Sequence, residues 1–252
     1  MKFFNDTYLL FIRHLKKGLR APVWLLIGLS QPVLYLLLYM PLLKNTGNAA
    51  LMPTDEIVRI FVPGMLVIMG MGALFAGFSF IDEIRIGIIS RWLVTPVGRI
   101  GLIFSLILNQ ILTLFLQSCI LLIIAAFLGL KVPFAGIALT LVLILLIGIT
   151  MSSFSYAISL SVQDEGVLAS ITNTFYLPVM LLSGIMLPIS FAPNWLKTMA
   201  LFNPFYYVVE ASRDLFAGDY GTMIVVKGFI IMIAFTLFAL WLAVRALNKM
   251  AA

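Results

Sequence analysis

Few side chains in this sequence could do acid, base or nucleophilic work. The chain has one histidine, His14, and one cysteine, Cys119. Neither a zinc site nor a Cys/His nucleophile pair can be assembled from one residue of each type, and a single cysteine allows no internal disulfide. Glu210, Arg213 and Asp214 are the charged group best placed for catalysis. Carboxylates at i and i+4 share a helix face, which suits acid–base chemistry on a lipid and equally suits an ordinary solvated face. No GxxxxGK[ST] loop occurs, so the chain lacks the usual phosphate cradle and any ATP hydrolysis falls to a partner.

The elements that would position such groups are apolar. Hydrophobic residues make up 63% of the 252 positions and charged residues 10%, against roughly half and a quarter in soluble domains. The apolar residues fall into runs of about 20, enough to cross a hydrocarbon core. Hydropathy predicts an all-α integral membrane protein in one domain, 1–252, with six transmembrane helices near 22–43, 62–82, 100–130, 134–162, 167–188 and 223–246. No Asp, Glu, Lys or Arg falls in the middle of a predicted span, whereas ion-coupled transporters generally keep such groups there. A passive pore stays open as an alternative. The net charge of +6 is scattered rather than gathered into an aromatic-laced stripe, so nucleic acid is not the expected partner. Membrane lipids are.

Residues 1–21 are expected to form an interfacial helix, with Phe4, Tyr8, Phe11, Ile12, Leu15 and Leu19 on one face and Arg13, Lys16, Lys17 and Arg20 opposite. The alternative, a signal-peptide leader, fits less well because the following apolar stretch is long and lacks a small-residue cleavage site. With the first residues inside, ten of the 16 Lys and Arg fall on the cytoplasmic side, as the positive-inside rule requires. Both termini are therefore expected in the cytoplasm. Two connections are long. Residues 83–99 lie inside, and 189–222 lie outside as a re-entrant or interfacial helical hairpin. In the hairpin, Asn203 serves as N-cap, Pro204 as the first helical residue and Gly218 as the stop.

Three patterns could serve transport. On the third span Gln110, Thr113 and Gln117 lie within about 60° of each other at helical spacing, fitting either interhelical hydrogen bonds or the wall of a path. On the second, Gly70, Gly72, Ala73, Ala76 and Gly77 allow close helix approach, either to a second copy or within the chain. In the 83–99 segment, Ile86, Ile89, Trp92 and Leu93 make an apolar face that needs a surface, a protein or the headgroup layer, and Pro96 ends the helix.

At this segment the chain resembles the ABC-2 family of exporter permeases. The likeness runs from FVPG (Phe61 to Gly64), through Glu83, Gly87 and VTPVGR (Val94 to Arg99), to LSGIMLP (Leu182 to Pro188) and NPFYYVVEASRDL (Asn203 to Leu215). It implies a permease with no catalytic residues of its own, working as a dimer with two cytoplasmic ABC ATPase subunits that hold the ATP and Mg. The segment after the second span would be the coupling helix, with Glu83, Arg85, Gly87, Ile89, Trp92, Leu93 and Pro96 as its residues. After the glycine, Ile88, Ile89 and Ser90 replace the Thr, Leu, Glu often found in the family. The resemblance further implies a dimer interface near the second and fifth spans. The cargo would be a hydrophobic or amphipathic molecule, drug-like or lipid-like, with a lipid-linked polysaccharide as the alternative, exported across a bacterial inner membrane. Phe75, Phe78, Asn173, Thr174 and Tyr176 are the path candidates, chosen partly on these grounds. A membrane-embedded lipid-modifying enzyme is the rival from a different class.

Overall fold

The computed structural model describes residues 2–20, 23–45, 54–87, 99–185, 189 and 192–250. All regular structure among them is helical: α1 Lys2–Arg20, α2 Val23–Asn45, α3 Thr54–Gly72, a 3₁₀ turn Ala73–Phe75, α4 Ala76–Arg85, α5 Arg99–Phe127, α6 Phe134–Val162, α7 Glu165–Leu182, α8 Asn194–Ala200, α9 Pro204–Ala217 and α10 Met223–Met250. Five helical stretches are long and apolar enough to cross a membrane, at Val58–Arg85, Gly101–Phe127, Phe134–Val162, Glu165–Leu182 and Met223–Lys249. The first expected span corresponds to α2, whose apolar run is Leu26–Leu38.

The bundle is built around α6, which packs on α10, α5, α3, α4 and α9. Its 29 residues reach about 43 Å at 1.5 Å per residue, longer than the hydrocarbon core. A column of α6 hydroxyls is buried: Thr140, Thr150, Ser152, Ser153, Ser155 and Ser159. Several settle locally on carbonyls four residues back, as Ser152 does on Gly148 at 2.7 Å and Ser159 on Ser155 at 2.7 Å. Others tie helices together, as where the Thr150 and Thr236 hydroxyls meet at 2.8 Å between α6 and α10.

The second span is not the uninterrupted 62–82 helix that hydropathy predicts. It starts earlier, in α3, breaks into a 3₁₀ turn at Ala73–Phe75 and resumes as α4. Ser155 of α6 sits at the break, accepting from the Gly77 amide at 2.8 Å and donating to the Leu74 carbonyl. Gly77 is required there, because an added Cβ would run into the Ser155 and Ser159 hydroxyls. The fifth span also ends sooner than expected, at Leu182 rather than 188, with Gly184 turning the chain at φ 73°.

Local chemistry explains the hairpin of α8 and α9. The Asn203 side chain accepts from the Phe205 amide, Pro204 opens α9, and Gly218 ends it at φ 95°. Arg213 then fastens α9 to its neighbours. It pairs with Glu210 at 2.6 Å, donates to the Gly184 carbonyl at 2.8 Å beyond α7, and reaches the Ile60 carbonyl of α3 at 3.4 Å. At the opposite end of the bundle a second core cluster joins Leu10 of α1, Phe80 of α4, Ile103 of α5, Tyr156 of α6 and Leu247 of α10. The first and last helices therefore contribute to one cluster at the end where α4 finishes.

Candidate functional site

Two features stand out: the junction where α4 leaves the bundle and a cavity behind α7. At the junction, α4 ends at Arg85 and Gly87 adopts φ 75°, a left-handed conformation that glycine takes without strain. Glu83, one turn earlier, is buried beside His14 of α1, with Glu83 Oε1 and His14 Nδ1 3.9 Å apart and each side chain 6% exposed. It therefore faces the chain's own first helix. Arg85 reaches the other way, its guanidinium 2.6 Å from the carboxylate of Glu165 in the first turn of α7. Ile89, Trp92, Leu93 and Pro96 lie outside the described residues.

The position of α1 follows from three arcs on one helix. Thr7, Leu10 and His14 turn toward the bundle, with Thr7 and His14 buried. Tyr8 is exposed on the apolar flank, and Arg13 and Lys16 are exposed beyond it. Such a helix packs on protein along one edge while offering apolar and basic arcs to a headgroup layer.

The cavity has a volume of about 550 Å³ and is bounded by α7, α6, the end of α3 with the 3₁₀ turn, the α8–α9 hairpin and Phe235 of α10. At about 100° per residue, Ile171, Thr172, Phe175, Tyr176, Val179 and Leu182 form the α7 face that lines it. Ser170, Asn173, Thr174, Leu177 and Leu181 form the opposite face, and all five are exposed. Pro178 lies inside α7 and leaves the Thr174 carbonyl without its helical donor.

The path candidates thus divide. Tyr176 lines the cavity, and Phe75 meets it edge-on at 5.5 Å while stacking on Phe78 at 6.2 Å. Asn173 and Thr174 point away from the cavity, and the Thr174 hydroxyl bonds back to the Ser170 carbonyl at 2.7 Å. Among the small residues of the second span, Ala73 and Gly77 are buried within this chain and Ala76 is half-buried. Gly72 has open space around it. In the polar stripe of α5, Gln117 is buried against Gly28 of α2, an interhelical contact. The sequence did not single out Met151, Phe154, Thr172 or Phe205 as lining residues. The only local hint was the i, i+4 repeat Leu168, Thr172, Tyr176.

A bundle of apolar helices around a buried hydroxyl column, with its charged groups at the two ends, is a multi-pass membrane protein. Residues 5–217 match the family described as ABC-2 type transporter, and the chain belongs to that family, the transmembrane part of ABC transporters. It is 26% identical over 218 residues to a protein of Cyanophora paradoxa named as a transport permease, ycf38, covering 85% of this chain and 75% of the relative. The Porphyra purpurea protein of the same name is 27% identical over 204 residues, covering 79% and 69%. ABC transporter G family member 20 of Dictyostelium discoideum is 25% identical over 202 residues, 78% of this chain but 28% of that protein.

Proposed function

We propose that the chain is the permease subunit of an ABC exporter that moves a hydrophobic or amphipathic molecule, drug-like or lipid-like, outward across a bacterial inner membrane. In this reading α2 completes six spans, and both ends of the chain lie in the cytoplasm. Two copies assemble with two ABC ATPase subunits, which bind the ATP and Mg. Membership of the ABC-2 family supports pairing with an ATPase.

The observation that carries the mechanism is the double linkage where the second span ends, Glu83 to His14 and Arg85 to Glu165. A partner pushing on residues 83–99 displaces the Arg85 tip of α4, while the body of α4 stays packed on α6. Arg85 hands that displacement to α7, the wall of the cavity, and Glu83 hands it to α1 at the membrane surface. The Arg85–Glu165 pair is substantially exposed, so it stabilises the fold by at most about 1 kcal/mol. Its role is to fix where two helix ends meet. Ile89, Trp92, Leu93 and Pro96 supply the surface that docks on the ATPase. The exposed α7 face with Asn173 and Thr174, together with Gly72 and Ala76, meets the second copy. Phe75, Phe78 and Tyr176 border the path.

The test is transport in proteoliposomes with the cognate ATPase, comparing a lipophilic dye, a lipid-linked glycan and a small hydrophilic ion. ATP-driven export of the dye, lost in Trp92→Ala while the permease still inserts, is the expected result. Movement of the ion alone, or normal dye export by Trp92→Ala, would contradict the reading.

A further inference from the structure

The cavity behind α7 is lined by a buried threonine whose hydroxyl has no partner among the described residues. Three hydroxyl-bearing Ser and Thr side chains lie on α7. Ser170 donates to the Gly166 carbonyl at 2.9 Å and Thr174 to the Ser170 carbonyl at 2.7 Å. Thr172 lines the cavity, is 1% exposed, and its hydroxyl makes no hydrogen bond among the described residues. A buried hydroxyl left this way is costly. Threonine is at home in two helix rotamers, so a χ1 rotation exchanges its methyl and its hydroxyl at the cavity wall. Two further neutral hydrogen-bonding side chains line the space: Asn203 is committed, donating to the Val179 carbonyl at 2.7 Å and accepting from the Phe205 amide at 3.0 Å, and Tyr176, on the same helix face as Thr172, adds a phenol hydroxyl.

Among the described residues no Asp, Glu, Lys, Arg or His lines the space, so an ionised guest would be buried without a counter-charge. The walls are methionine and aromatic side chains, among them Met71, Met151, Phe154 and Phe235, which adapt to varied apolar shapes. The volume of about 550 Å³ lies within the roughly 300–1,000 Å³ of small-molecule sites. The rim is marked by three lining residues that are themselves exposed, Phe175 at 64%, Met199 at 50% and Phe202 at 87%. On a membrane-spanning helix that rim opens onto lipid.

We propose that this cavity binds a neutral lipid drawn from the bilayer, a long apolar chain carrying one hydroxyl or carbonyl oxygen that meets Thr172. The proposal deepens the permease reading by naming a substrate class, and it rests on that reading for the fate of the guest. Binding itself needs only this chain. The site lies on the hairpin half of α7, away from the Glu165 end, and on the face opposite Asn173 and Thr174.

The probe is hexadecanol bearing a diazirine, photo-crosslinked to the permease alone in nanodiscs. Competitors are unlabelled hexadecanol, hexadecanoate and hexadecyltrimethylammonium. Labelling should map to 151–158 and 171–182, and hexadecanol should displace the probe at lower concentration than either ion. Thr172→Val should weaken the alcohol's binding about tenfold, the loss expected for one good hydrogen bond, while Thr172→Ser retains it. Val179→Trp, which fills the space, should abolish labelling. Where that variant folds poorly, the Thr172 pair decides alone. Equal labelling of Thr172→Val and wild type, or equally strong competition by the cationic chain, would overturn the site. Binding with this pattern but no ATP-driven transport of the alcohol in proteoliposomes would contradict the transport reading and uphold the site.

Discussion

The second and fifth spans are neighbours with opposite characters. Along the most apolar stretch of Val58–Arg85, 72% of residues are buried inside the chain, against 17% for Glu165–Leu182. The first is wedged against α6, with its break stitched by Ser155, Gly77 against the Ser155 and Ser159 side chains and Gly70 against Ile147. The second has a cavity on one face, and on the other Ser170, Asn173, Thr174, Leu177 and Leu181 are exposed among the described residues. Yet the two meet at one end through Arg85 and Glu165. Packing density sets what a helix can do. A close-packed interior transmits displacement, and a helix with few contacts can be displaced at small cost. The contrast assigns the second span to transmission and the fifth to movement.

The largest effect should come from filling the wedge. Gly77→Val forces side-chain atoms into the Ser155 and Ser159 hydroxyls and is expected to destabilise the permease by about 3 kcal/mol. Thermal unfolding in detergent would read this, with Gly72→Ala, where space is open, as the neutral control. Next comes Glu83→Ala, which removes a buried carboxylate beside His14. It should cost about 1–3 kcal/mol and lower ATP-driven transport more than it lowers ATP hydrolysis, measured side by side in proteoliposomes. Thr150→Val removes the hydroxyl contact between α6 and α10 and should cost about 0.6 kcal/mol, typical of polar contacts within membranes. Smallest in stability is Glu165→Gln, within about 0.5 kcal/mol of wild type for so exposed a pair. If the pair links the two helices, transport should fall while the melting temperature stays put. Equal losses in both would reduce the pair to ordinary structural support.

Some of this was legible in the sequence because the signals are local. Asn203, Pro204 and Gly218 carry their capping chemistry with them, and α9 begins and ends where they place it. Five of the expected spans follow from hydropathy, and α6 covers the expected 134–162. Facing was harder to read. Where a helix is apolar almost all round, periodicity does not say which side meets protein and which meets lipid. Asn173 and Thr174 drew attention by polarity, yet they lie opposite the cavity, whereas Thr172 lines it. The 3₁₀ break depends on Ser155, 81 positions from the Leu74 carbonyl it satisfies. His14 read as a solitary residue until α1 docked it on Glu83. Each missed feature is a contact between distant parts of the chain.

The central claim is that the fifth span moves against a second span that stays fixed to α6. In a Cys119→Ser background, spin labels on Ser170→Cys and Val142→Cys span α7 and α6, while labels on Ser79→Cys and Val142→Cys span α4 and α6. All three positions are exposed. Pulsed electron resonance on the full complex in nanodiscs, with and without ATP trapped on the ATPase, compares the two distances. The account predicts a shift of several ångströms in the α7–α6 distance and none in the α4–α6 distance. An unchanged α7–α6 distance, or equal shifts in both, would contradict it.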